Sequence, residues 1–502
     1  MAAGDKTHLR QGHIDFAGDY DLSSIVIHNH QNEGLSKQTK GTDIKHLVQE
    51  MNIYESMFSG AITGSLVIAD TLNLIGNLPI QGTERITFKL ATPGAHKATH
   101  IVDCTEESGH PMYIYKLANR EQSVDGMQVY TLHFCSREFL RNLRTRVSQA
   151  YSGRIDQMVA SIVGDENYLD SRNQLNFQKT RNQDKIVIPN LRPFDAIKML
   201  ARKALANNSN SVGYYFYETT KGFHFRSWES MCVDEMGNPR PVKQVFRYMP
   251  MKIKDPEIED KIEHDYTSVE EYKFKNNFHD MAGNTALGTY GHRVITHNIY
   301  DKSYKTDDYH YHKHFSDTKH TDGPNPAIVD TPGDFDNKGI SDYPESRITV
   351  RPTTRFAHGK DTGNFGTDIA QDGKIEGQGI AQYNQVIAGT RLQMTIKGQS
   401  YLEVGDVIQF DLLSVENKLN SAGALDPQYS GRYIITKLRH RVADFEYVQV
   451  IECVKDSVAR NFQSNRLKIF PGKRPRNDKG FFQDVNQYDN IDKKIKYGVK
   501  GL

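Results

Sequence analysis

A chain of 502 residues is too long for one hydrophobic core, and 63 Lys+Arg against 62 Asp+Glu, a formal net charge of +1, supplies no global field for nucleic acid or an anionic membrane. Hydrophobic content of 37%, with 26 Tyr and 38 Gly, suits strands joined by long polar loops, and no stretch approaches the ~18 consecutive apolar residues of a membrane span. Cys104, Cys135, Cys232 and Cys453 lie far apart without C-x-x-C spacing, which predicts buried small hydrophobes rather than disulfides or metal ligands.

Residues 1–20, polar and punctuated by Gly4, Gly12 and Gly18, read as a flexible N-terminal arm. A first strand follows at SSIVIHN (23–29), and residues 45–51 read as a short connector. Residues 53–90 then alternate in period 2. Ile62, Leu66 and Ile68 precede an Asn-Leu-Pro-Ile…Gly turn, and Ile86, Phe88 and Leu90 follow it. The pattern returns after Gly405 as Ile408, Phe410 and Leu412. Ile86 and Ile408 are 322 residues apart, Leu117 and Leu438 321, Cys135 and Cys453 318. Such constant spacing predicts two copies of one β-unit, with Ile86, Phe88, Leu90, Ile408, Phe410 and Leu412 as equivalent inward core landmarks. Six antiparallel strands curl, so each unit is expected to close into a small barrel.

The period changes at Ser136, an N-cap candidate followed by Glu138. Phe139, Leu140, Leu143 and Val147 are expected inward. Arg141, Arg144 and Arg146 on the other face lack the interleaved aromatics of a nucleic-acid surface. A second helix buries Ile155, Met158, Val159, Ile162 and Val163, and a third opens at Pro193 with Phe194, Ile197, Leu200, Ala201 and Leu205 inside. The stretches 212–218 and 223–228 form a hairpin. The acidic run 255–271 reads as a solvated linker or a strand entry rather than a glycosidase carboxylate pair. Strands resume at 272–278 and 290–299.

His310, His312 and His314 alternate in DYHYHKHF and on a strand would share one side, the arrangement that brings imidazoles onto one metal. No Cys or well-spaced carboxylate completes a set, so no metal site is expected. Residues 321–378, rich in Gly, Asp, Pro and Thr, read as a long loop, and the strand pattern resumes at 387–397. Beyond 456 the aromatics are separated by Pro471-Gly472, Pro475 and charged runs. That predicts an extended partner-binding arm, with Phe470, Phe481 and Phe482 as apolar anchors and Lys473, Arg474 and Arg476 meeting an acidic patch.

The expected fold is therefore α+β and mainly β, with two related antiparallel β-barrel domains, an inserted α+β domain and long loops. The expected divisions are the arm 1–20, a first, tube-facing barrel 21–136, an α+β domain 137–260, a discontinuous second barrel 261–310 and 385–456, a loop-rich insertion 311–384 and the arm 457–502. The sequence contains no GxSxG, HExxH, Walker A, strand-linked GxGxxG, EF-hand or zinc spacing. No catalytic residue and no cofactor is expected.

The stretches IYESMFSG…GSLVIAD (53–70), LPIQGTERITF (78–88), YTLHFCSREFL (130–140), IPNLRPFDAIKMLARKA (188–204) followed by YYFYETTKGFHFRSWE, and VGDVIQFDL with YSGRYIITKLRH together resemble the baseplate hub proteins of contractile-tailed bacteriophages, whose relatives form the N-terminal part of type VI secretion spikes. The resemblance implies a structural protein of the virion tail baseplate, assembled in the host cytoplasm. It implies a homotrimer in which two similar units per chain give a pseudo-sixfold ring. Such a ring adapts a hexameric tail tube to a trimeric central spike and leaves a channel for DNA in transit. Implied partners are further copies of the chain, the spike protein, a tube protein or tube initiator, and baseplate wedge proteins, with no membrane insertion. Alternative readings are a tail-associated cell-wall hydrolase and a glycan- or receptor-binding tail protein. The His-rich strand, the 321–378 loop and the C-terminal arm fall outside the resemblance.

Overall fold

The computed structural model describes residues 14–28, 41–77, 84–93, 101–122, 126–181, 183–209, 211–248, 262–276, 280–299, 304–330, 338–353, 369–414 and 425–459, with the single residues 82 and 302. Among them the main sheet has fifteen strands, and two stretches of it repeat one order. In the first, Val48–Ser56 pairs with Thr63–Asp70, then Gln128–Ser136, Met112–Gln122 and Arg85–Ala91. In the second, Val269–Asn276 pairs with Thr390–Lys397, then Glu446–Lys455, Gly431–Ala443 and Val407–Leu412. The register corresponds as well, since Ile86 lies opposite Met112 and Ile408 opposite Tyr433.

No sheet closes into a barrel among the described residues, which overturns the two barrels expected from strand number and curl. Strand length supplies the physical reason. Gly431–Ala443 is 13 residues long, and its first residues pair with Val407–Leu412 of its own unit. Its outer part, Lys437 to Ala443, pairs antiparallel with Ser56 to Glu50 of the first unit. The free edge of Val48–Ser56 is therefore filled by the other half of the chain, and the two units become one continuous sheet. Each ladder hydrogen bond contributes about 1 kcal/mol, and an edge that would otherwise invite aggregation is covered. In the second unit an isolated bridge between Arg247 and Ser268 brings end strands together, and one bridge is not a closing ladder.

Between the units lie two- and three-stranded sheets covered by helices. Ile155–Gly164 buries the five apolar residues that its period predicts, and Pro193–Ala201 starts on its proline and buries Phe194, Ile197, Leu200 and Ala201. The first helix departs from expectation. It spans Arg137–Arg144, buries Glu138 and Asn142, and leaves Leu143 exposed, while Val147 begins a strand. The Asn142 carbonyl accepts the Phe194 N–H at 2.8 Å, satisfying a donor at the start of the third helix. Arg137 and Arg141 turn to the 165–170 turn, with Arg137 at 2.6 Å from Asp170 and Arg141 donating to the Tyr168 carbonyl at 2.8 Å.

The stretch 321–378 is not a loop throughout. It holds the strand Ile348–Thr353 and enters the 20-residue helix Ile369–Ala388. This helix packs through amides more than aliphatics, so its apolar period is weak in the sequence. Gln382 accepts from the Val212 N–H at 3.2 Å, Gln385 donates to the Tyr309 hydroxyl at 3.3 Å and Asn384 to the Leu287 carbonyl at 2.9 Å. Among the described residues no helix is long and apolar enough to cross a membrane.

Candidate functional site

The strand Val48–Ser56 alternates Met51, Ile53 and Glu55 inward, so one carboxyl is carried to the place where both units and the α+β hairpin meet. There the Glu55 oxygens accept backbone N–H groups from Thr220, at 3.3 Å in the hairpin turn, and from Val404, at 3.4 Å in the loop of the second unit. His440 approaches from the paired strand, its Nε2 3.9 Å from Glu55 Oε1. Its Nδ1 lies 2.6 Å from the Tyr447 hydroxyl, and the Gln449 amide donates to that hydroxyl at 3.0 Å and to the Gln399 carbonyl at 3.0 Å. From the hairpin, Thr219 donates to Glu403 at 3.1 Å and Lys221 lies 3.3 Å from the same carboxylate. Gly405, at φ +94°, completes the loop. A Cβ there would stand 2.5 Å from the Tyr217 hydroxyl, so both the turn and the close packing require glycine.

The electrostatics follow from burial. Desolvation and the neighbouring Glu403 push the Glu55 carboxyl up to about 8, and burial pulls the His440 imidazole down to about 3, with Lys221 adding to it. Near neutral pH both groups are uncharged, so their 3.9 Å approach is not an ion pair. Burial and Glu403 also raise Asp406 to about 6. Glu218, which accepts the Ile62 N–H at 2.9 Å, is pushed well up by burial and by Glu138. Glu55 and Glu218 thus sit here as protonated acids that accept backbone N–H groups from neighbouring parts of the chain.

A second joint fixes the insertion to the end of the second unit. Asp456 accepts the Trp228 indole N–H at 3.0 Å and the Thr321 N–H at 2.9 Å, and His320 Nδ1 lies 2.9 Å away. The His320 ring stacks on Phe315 with centroids 3.6 Å apart. Burial alone would raise Asp456, but His320 and these donors outweigh it and hold the carboxyl at about 2. The His320 imidazole in turn is raised, because Asp456 outweighs its burial. Beside this pair Lys455 lies 3.3 Å from Asp322, and the Ser457 hydroxyl accepts the Asp322 N–H at 3.0 Å.

The histidines do not share one strand face. Tyr304–His310 is the strand, and Tyr311–His314 turns into a short helix. His310 Nε2 lies 2.9 Å from Asp342, His312 lies 2.6 Å from Ser341 Oγ and 2.7 Å from the Ile328 carbonyl, and His314 Nδ1 lies 2.8 Å from the His310 carbonyl. Their ring nitrogens brace the insertion, and among the described residues no group of three or more His, Cys, Asp or Glu could hold a metal. Ile86, Phe88 and Leu90 are buried in one core cluster, and Ile408 and Phe410 in another, against which half-buried Leu412 packs. The arm residues Phe470, Lys473, Arg474, Arg476, Phe481 and Phe482 lie outside the described residues. Sequence reasoning missed Glu55, Glu403, His440, His320 and Asp456. The available signal was a carboxylate at an inward position of an apolar alternation, as in Ile53-Tyr54-Glu55.

What these joints do is hold several parts of the chain in fixed register. No family model matches the sequence. The chain is similar to the probable baseplate hub protein gp334 of Vibrio phage KVP40, 21% identical over 422 residues that cover 82% of this chain and 91% of that protein. Among solved structures, a tail protein from Neisseria meningitidis MC58 aligns with a TM-score of 0.48 at 10% identity, covering 88% of this chain and 98% of that one. The 43 kDa tail protein of prophage MuSo2 from Shewanella oneidensis aligns at 0.45 and 10% identity, covering 82% and 94%. This similarity, over most of both chains, bears out the resemblance read from the sequence. The sequence similarity is thus to a probable phage baseplate protein.

Proposed function

We propose that this chain is the hub of a contractile-tail baseplate, a homotrimeric ring that joins a hexameric tail tube to a trimeric central spike around a channel for DNA. The observation that carries the reading is the twofold occurrence, in one chain, of the same five-strand order with corresponding register. Three copies then offer six equivalent units, which is what a junction between threefold and sixfold partners needs. The joint at Glu55 supports this role, because six units can present equivalent surfaces only if the two within each chain are held rigidly. Light scattering on the purified protein is expected to give three times the chain mass, alone or with the spike protein. A stable monomer under both conditions would sink the reading.

The C-terminal arm is the part of the chain proposed to dock on a partner chain, whether a neighbouring hub subunit, the spike, a tube protein or a wedge protein. It holds eleven Lys and Arg against four Asp between Arg460 and Leu502, a net +7, while the residues before it carry −6. A partner with an acidic surface suits it. Since Val458 is buried and pairs with Asn325, the informative truncation falls after Ala459. The shortened chain is expected to fold with unchanged stability and to lose affinity for its partner. Equal affinity would make the arm a passive tail.

A further inference from the structure

The seam between the two units has a counterpart that a single chain leaves open. Val48–Ser56 and Val269–Asn276 correspond residue by residue, because each carries a bulge at the same place, between Val48 and Glu50 in one and between Val269 and Glu271 in the other. Tyr54 therefore corresponds to Lys275 and Glu55 to Asn276. Met112–Gln122 and Gly431–Ala443 match in the same way, with bulges between Ile114 and Lys116 and between Ile435 and Lys437. Leu117 thus answers to Leu438 and Ala118 to Arg439. Asn119, at φ +52°, lies in a second bulge that Gly431–Ala443 lacks, so the match carries from Lys116 to Ala118 and no further.

Within the chain, the overhang from Lys437 to Ala443 covers the edge of Val48–Ser56, with Leu438 opposite Glu55 and Arg439 opposite Tyr54. The corresponding overhang and edge have no such cover. On its outer side Met112–Gln122 pairs with Arg85–Ala91 only through Met112 and Tyr113, and from Lys116 onward no strand lies there among the described residues. The outer edge of Val269–Asn276 meets only the single bridge from Arg247 to the preceding Ser268. Burial registers the difference. Leu438 is 1% exposed while Leu117 stays half-buried, and Tyr115 is 38% exposed where its counterpart Thr436 is buried. An open strand edge is a template for strand addition, and here the matching overhang belongs to the same chain. Val269–Asn276 begins the strand order and Met112–Gln122 stands near its other end, so the edge of one copy suits the overhang of another.

We propose that the seam recurs between chains: Lys116 to Ala118 of one copy add antiparallel to the outer edge of Val269–Asn276 in a second copy, with Ala118 opposite Lys275 and Leu117 opposite Asn276. The contact is heterologous, each chain giving an overhang and receiving one. It rests on the ring reading above for the fact of association and takes its register from the seam within the chain. Ala118→Cys with Lys275→Cys in the full-length chain tests it, since directly opposed residues of antiparallel strands stand ~4.5–5.5 Å apart at Cα, a separation that suits a disulfide. The native Cys104, Cys135, Cys232 and Cys453 are buried and do not compete. Under conditions in which light scattering finds the wild type associated, alone or with the spike protein, mild oxidation is expected to link the double variant into dimers and trimers on a non-reducing gel. A mixture of the two single variants is expected to stop at dimers. Ala118→Cys with Lys273→Cys, two residues out of register, is expected to link roughly tenfold more slowly. An associated wild type whose in-register variant does not link overturns this contact and leaves the ring reading standing, and equal rates for the two pairs overturn the register. A wild type that stays monomeric under both conditions overturns the ring reading and this contact with it.

Discussion

At the joint between the two units, Glu55 is buried beside a second carboxyl and a neutral imidazole; at the root of the insertion, Asp456 is buried against an imidazole and an indole N–H. Both carboxyls are inaccessible to water, yet burial wins at the first and the partners win at the second. The difference lies in the donors supplied. Glu55 receives two long backbone hydrogen bonds, at 3.3 and 3.4 Å, and faces Glu403, whereas Asp456 receives short bonds from three groups, one of them able to carry a positive charge. One joint therefore weakens on deprotonation, and the other depends on charge.

Breaking the charged joint is expected to have the largest effect. His320→Ala leaves Asp456 as a buried carboxylate with its compensating cation removed, which costs roughly 3–5 kcal/mol. Urea unfolding near pH 6 measures it. Adding Asp456→Asn should restore part of the loss, and a double variant no better than His320→Ala would show that the ring's packing on Phe315, not its charge, is what matters. The folded Asp456 is depressed from 3.8 to about 2, so its contribution is present above pH 3.8 and is lost as pH falls toward 2.

The uncharged joint has the opposite sign. Glu55 is raised from 4.5 to about 8, so its contribution is complete below pH 4.5 and is lost as pH rises to 8. His440, depressed from 6.5 to about 3, acts against this between pH 3 and 6.5, because its contribution is present only above the unfolded value. Its remaining titration in the unfolded chain just above pH 6.5 is common to wild type and variant, so comparing the two from pH 6.5 to 8 isolates Glu55. Over that window Glu55→Gln is expected to make stability fall less steeply than in the wild type, by on the order of 2 kcal/mol. Glu218 stays in place and keeps part of the slope. Identical slopes would mean that Glu55 is ionised in the fold.

Strands, the repeated order and two of the three α+β helices were legible because alternation and the 3.6-residue period report burial directly. Sheet closure was not, since it depends on which edge Val48–Ser56 finds, and that edge is filled from Lys437 to Ala443, nearly 400 residues away. Ile369–Ala388 was hidden by Gly373, Gly377 and Gly379 and by inward amides in place of leucines. The face of Arg137–Arg144 was misread because Asn142 turns inward to accept a backbone N–H at the start of Pro193–Ala201, a tertiary bond without a local signature. Of the two joints, single acids on apolar faces were visible, but the partners that set their charge come from 135 to 349 residues away in sequence.

The smallest expected effect lies on the solvent side of the same seam. Opposite the buried Glu55 side, Arg439 and Arg441 both reach Glu50, at 3.1 and 3.2 Å, and the Arg439 guanidinium lies 5.8 Å from the Tyr54 ring centre. These contacts cross the junction between the units as Glu55 does, so a reading by position alone gives them similar weight. Their setting differs, because the arginines stay part-exposed and water screens them. Arg439→Gln is therefore expected to cost less than about 1 kcal/mol in urea unfolding, and that cost should shrink further in 0.5 M salt. Burial of Glu55 is insensitive to salt, so its pH slope should persist under the same conditions. If Arg439→Gln cost as much as His320→Ala, the outer ladder would be a third joint and the contrast between buried and exposed polar contacts would fail.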